Sequence, residues 1–163
     1  MRAALLLLVA IAAAPALAKG GSVIAAGGHW AAILRDGQCD AESLAQAPAS
    51  ARTLRGLAGF TFAADRSRWG QFHARLSRTP RPGASVIATI GRQPFLLKAR
   101  GNWAWSSGPA QDNALLAAVR SADSLRIQSR DSAGRRFTDH FALDFAPTAI
   151  DAAAARCAGL QPR

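Results

Sequence analysis

The chain has 163 residues, with 20 Lys and Arg against 10 Asp and Glu, a formal net charge of +10, and two cysteines. That length makes a single domain the default, and a lone cysteine pair without CxxC spacing argues against a redox centre or a thiolate metal site. Beyond the N-terminus no segment has the length and apolarity to span a bilayer, and the basic excess speaks to association with anionic partners rather than to chemistry.

Residues 1–18 have the three parts of a secretory signal: the basic start "MR", the uncharged run "AALLLLVAIAAAP" and the small-residue site "ALA", with cleavage expected after Ala18. The uncharged stretch 3–18 is 16 residues long, short of the ~20 a spanning helix needs. No cysteine follows the site, which argues against a lipid anchor. The processed chain would keep 145 residues and a formal charge of +9. It would be periplasmic or secreted, where two cysteines usually pair. Anionic surfaces available there are phospholipid, lipopolysaccharide and other envelope polymers. Nucleic acid is not an expected partner, and a protein partner is the alternative.

Residues 19–27, rich in glycine and alanine, read as a flexible lead, with one β-rich domain over 28–163. "HWAAILR" (29–35) starts the first predicted strand, and "DGQCD" reads as a turn carrying Cys39. Residues 41–56 show no clear period and read as a loop with one helical turn. "LAGFTFAA" (57–64) is a strand. "WGQFHARL" (69–76) alternates Phe72, Ala74 and Leu76 against Gln71, His73 and Arg75, the period of a half-buried strand. Two prolines make 77–83 a connection. Residues 84–91 and 93–99 form a hairpin about Gly91-Arg92, and "WAW" (103–105) is a short strand. A helix is predicted over 113–122, with Asp112 as N-cap and Leu115, Leu116 and Val119 on one face. Residues 123–129 are a strand with Leu125 and Ile127 inward, and 130–135 a hairpin turn. In the strand 136–145 Phe137, Phe141, Leu143 and Phe145 share a face that Asp139 interrupts. Pro147 suits the first turn of a terminal helix. Ile150, Ala153, Ala154 and Cys157 then form one stripe, which turns Cys157 toward the sheet and toward a disulfide with Cys39. Seven or eight short strands in hairpins, with no βαβ alternation, predict a mainly β, antiparallel β-sandwich or jelly-roll-like barrel with two short peripheral helices.

The C-terminal half, "ALLAAVRSADSLRIQSRDSAGRRF" followed by "FALDFAPTAIDAAAARC", resembles the invasion-associated locus B family of exported bacterial proteins. "HWAAI", with Trp30, resembles that family's Gly-Asp-Trp start. The resemblance spans roughly residues 28–157, and its specific part is the last 45 or so. Two departures stand out: "RGNWAWSSG" lacks the cysteine pair the family often carries at its central hairpin, and Asp144 stands where glycine is common. The resemblance implies an exported, soluble, β-rich domain without established catalytic residues, acting at the cell envelope or host interface.

No catalytic, cofactor-binding or metal-binding residue is assigned, and no cofactor is expected. His29, His73 and His140 lack metal-ligand spacing, although His73 and His140 would meet if their strands were neighbours. No Gly-x-Ser-x-Gly elbow is present. Asp139, a charge on an apolar strand face, is expected to pair with Arg135 or Arg75, with a bulge or a functional carboxylate as the alternatives. Arg66, Arg68, Arg75, Arg78 and Arg81 fall within 16 residues beside Trp69 and Phe72. They form a candidate anion-binding cluster, against the plain reading of a charged, protected strand edge. Trp103 and Trp105 share a face, as a sugar-stacking platform or as core. The leading expectation is a non-enzymatic exported protein acting through binding. The rivals are an arginine-rich recognition module for anionic glycans, lipopolysaccharide or lipid headgroups, and a small exported hydrolase.

Overall fold

A computed structural model describes residues 21–46 and 54–160, so the expected signal segment lies outside the described residues. The strands in chain order are β1 (Ser22–Gly27), β2 (Trp30–Arg35), β3 (Gln38–Leu44), β4 (Leu57–Ala63), β5 (Trp69–Arg75), β6 (Val86–Ile90), β7 (Gln93–Arg100), β8 (Trp103–Trp105), β9 (Ser124–Arg130) and β10 (Arg136–Ala142), with helices α1 (Pro109–Val119) and α2 (Ala146–Ala158). Every strand pairing is antiparallel, in the order β1-β2-β3-β4-β5-β8-β7-β6-β9-β10. The fold is mainly β, sandwich-like, with two short helices.

The sheet doubles over at β7. Its first half, through Leu97, pairs with β6, and its second half, from Lys98 to Arg100, pairs with β8. One strand therefore serves both layers, a way sandwich corners are made. The far ends of the layers are tied together as well. Trp30 donates its indole N–H to the Ala142 carbonyl at 2.8 Å, and the Gln46 N–H bonds the His140 carbonyl at 2.7 Å. Phe60 and Phe72 of one layer and Leu125, Ile127 and Phe141 of the other belong to one buried core.

Alternation explains the layers. In β5 Phe72 and Ala74 are buried, and Gln71, His73 and Arg75 face outward. Gly70 has φ +71, which only glycine adopts at ease. It occupies a register shift opposite Thr61 and Phe62, and a Cβ there would meet Leu116 at 2.7 Å. The bulge lets α1 approach β5.

Both helices lie where periodicity placed them, with changed boundaries. α2 buries Ala146, Ala149, Ile150, Ala153 and Cys157, while Ala154 is only half-buried. These small residues let it lie close on β1 to β4. Cys157 is bonded to Cys39 across 118 residues, with Cα atoms 5.9 Å apart. α1 begins at Pro109, and its N-cap is Gly108, not Asp112. Asp112 instead turns inward and accepts the Phe72 backbone N–H at 2.9 Å.

Two strands were not foreseen. The segment read as a flexible lead forms β1, paired with β2 from Ser22 to Gly27. The segment read as turn and loop forms β3, paired on both sides. Among the described residues no helix is long and apolar enough to cross a membrane.

Candidate functional site

The outer face of β3, β4, β5 and β8 brings a group of polar side chains together. On β3, Cys39, Ala41 and Ser43 point into the core, so Gln38, Asp40 and Glu42 point out. Thr61 faces outward from β4, Gln71 and His73 from β5, and Trp103 and Trp105 from β8. Together with Arg68 these side chains line an open concavity of about 390 Å³, within the range of small-ligand sites.

Register explains the hollow. Glu42 of β3 and His73 of β5 lie opposite the same residue of β4, Gly59. A Cβ at Gly59 would come within 3.0 Å of Glu42 Cγ and 3.1 Å of His73 Cε1. Its absence lets the two side chains lean together over β4. His73 Nε2 stands 3.6 Å from Glu42 Oε1, too far for a hydrogen bond.

Charge here is partly compensated. Arg35 reaches from β2 to Asp40 at 3.3 Å and to Glu42 at 3.0 Å. Burial alone would raise the Glu42 carboxyl, but His73 when it carries a proton, together with the Arg35 guanidinium, outweighs it and holds the group below the usual carboxylate range. Asp40 is 6% exposed and takes hydrogen bonds from the Thr61 hydroxyl at 2.7 Å and the Gln38 amide at 3.1 Å. Thr61 Oγ1 also lies 3.2 Å from His73 Nδ1.

The tryptophans form the opposite wall. Trp103 is 44% exposed, and its ring centroid lies 6.3 Å from that of His73. Across the sheet Trp103 stands between Arg75 and Arg100, and Trp105 between His73 and Lys98. Directly opposed residues share a face. Each ring is thus flanked by basic side chains, while the core-facing residue between them, Ala104, is fully buried.

The expected arginine cluster does not come together. The rise along a strand puts Arg68 and Arg75 roughly 20 Å apart. Arg66 stacks on Trp69, its guanidinium 3.9 Å from the ring centroid. Arg68 borders the groove and bonds Gln38. Arg75 is on the tryptophan face. Arg78 pairs with the buried Asp131 at 3.0 Å, and the Arg81 backbone N–H bonds the Arg130 carbonyl. Asp139 is buried but has neither expected arginine as partner; it accepts the Ser77 backbone N–H at 2.9 Å. The strands that carry His73 and His140, β5 and β10, are not neighbours in the sheet. His29 pairs with Asp144 at 2.6 Å on the surface.

The sequence pattern points to His73, Trp103, Trp105, Arg68 and Arg75 but not to Asp40, Glu42, Thr61 or Gln38. The strict alternation of polar and small residues in "QCDAES" was the available signal. Comparison with family models, with curated proteins and with solved structures finds no match for this chain.

Proposed function

We propose that this protein is a non-enzymatic, exported binding protein, similar in role to the invasion-associated locus B proteins, whose ligand is an anionic glycan of the envelope. One observation carries the reading: Trp103 projects from a sheet face between two arginines, Arg75 and Arg100, beside Trp105 and Lys98. An exposed indole stacks on the apolar face of a sugar ring, and flanking guanidinium and ammonium groups pair with its carboxylate or phosphate. The amides of Gln38 and Gln71 and the carboxylates of Asp40 and Glu42 offer donors and acceptors for hydroxyls across the same concavity. The positive field of the chain raises the encounter rate with such polymers.

The test is titration of tryptophan fluorescence with uronic-acid oligosaccharides and their neutral counterparts. The acidic series should bind, with affinity falling as salt is added, and Trp103→Ala should weaken binding about tenfold, near the loss of one anchoring aromatic. Equal binding of neutral and acidic sugars would remove the anionic part of the reading. No response at low salt would remove the whole of it.

A further inference from the structure

The hydrogen bonds around His73 leave a gap of defined chemistry. Thr61 has one hydroxyl proton, and it goes to Asp40 Oδ1 at 2.7 Å. Toward His73 Nδ1, 3.2 Å away, Thr61 can then only accept. The network therefore assigns the proton to Nδ1 and leaves a lone pair on Nε2 in the neutral ring. That lone pair faces Glu42 Oε1 at 3.6 Å. The other oxygen of Glu42 accepts from the Arg35 guanidinium at 3.0 Å, so this carboxylate too is an acceptor. Two acceptors converge over Gly59, where a Cβ would fill the space.

We propose that Glu42 and His73, with Asp40 behind them, form a binding site for a divalent cation of the zinc class. Imidazole nitrogen and carboxylate oxygen are ordinary ligands of such ions, at about 2.0–2.1 Å. An ion at that distance from both atoms would subtend an angle of about 120° across their separation, within the range of four- and five-coordinate sites. The outer contacts also fit. His73 Nδ1 is oriented by Thr61, and the second oxygen of Glu42 is held by Arg35 at 3.0 Å; ligands of bound metals are commonly fixed in this manner. The ligand atoms of Asp40, Glu42 and His73 lie within 4.8 Å of one another. Arg35, Arg68, Asp40 and Glu42 surround the site, and Arg75, Lys98 and Arg100 stand on the same face beside the tryptophans, so positive charge moderates the affinity. Remaining coordination positions open into the groove. The glycan reading is not needed for this site, because the metal alone is the probe.

Calorimetric titration of the oxidised protein with Zn²⁺ should show one site in the micromolar range at pH 7.5. His73→Ala and Glu42→Gln should each weaken it at least about tenfold, whereas His29→Ala and His140→Ala should leave it unchanged. Affinity should fall on acidification, because protons compete with the metal for its ligand atoms. Cu²⁺ at the same site should quench Trp103, and the quenching should be absent in His73→Ala. Far-UV circular dichroism verifies the fold of each variant, and either variant alone suffices for the test. Absence of Zn²⁺ uptake at millimolar metal, uptake that survives His73→Ala and Glu42→Gln, or uptake lost in His29→Ala would overturn the assignment.

Discussion

Removing the Cys39–Cys157 bond by the double substitution Cys39→Ala, Cys157→Ala should cost this protein a large share of its stability. The bond closes a loop of 118 residues. In the chain-entropy treatment a loop of that length restricts the unfolded chain by about 5 kcal/mol at 25 °C. Both cysteines are fully buried, so truncation to alanine also leaves space unfilled, which adds to the loss. Domains of this size have total stabilities of about 5–15 kcal/mol, so the variant should be marginal. Urea unfolding, followed by tryptophan fluorescence and far-UV circular dichroism, reads the change. With a slope of about 1–3 kcal/mol per molar urea, the midpoint should fall by roughly 2 M or more. Wild-type protein unfolded in reductant should move the same way. A midpoint shift below about 0.5 M at unchanged slope would refute the reasoning, since it would mean that the unfolded chain gains little freedom when the bond is absent.

Other consequences follow from single contacts. Burial would raise the Asp131 carboxyl, but hydrogen bonds from the Arg135 backbone and side chain and from Arg78 outweigh it, so the group lies below its ordinary value. Its folded pKa is lower than its unfolded one, so it adds stability above about pH 4 that is lost as pH falls through the folded value. Urea midpoints measured from pH 6 to pH 2.5 should fall less steeply for Asp131→Asn than for wild type. Asp112→Ala strands the buried Phe72 N–H and should cost about 1–3 kcal/mol in the same assay. Trp30→Phe removes the donor to the Ala142 carbonyl, with an expected loss of about 1–3 kcal/mol.

Where a strand or helix buries large residues, its pattern could be read from the sequence alone. β5 alternates Phe72 and Ala74 with polar residues, and α2 repeats Ile150, Ala153 and Cys157 at helical spacing. β3 was missed because its inward residues are Cys39, Ala41 and Ser43, small side chains that give no hydrophobic contrast. β1 was missed because a register shift between Val23 and Ala25 breaks its alternation and flanking glycines suggest looseness. With β3 went half of the groove. Asp40 and Glu42 meet Thr61 and His73 only through the register of three adjacent strands, and one sequence does not specify register. Proximity along the chain misled in the opposite sense for the arginines, because an extended strand separates what the sequence crowds. Asp139 and Asp112 found backbone N–H groups, Ser77 and Phe72, as partners, and such donors leave no mark in the sequence.

The groove is tested most directly by the four indole N–H resonances of ¹⁵N-labelled protein during addition of a uronic-acid oligosaccharide. The signals of Trp103 and Trp105 should shift in a saturable manner, while that of Trp30, buried and bonded to the Ala142 carbonyl, stays in place. Saturable binding that leaves both groove signals unmoved would contradict the account.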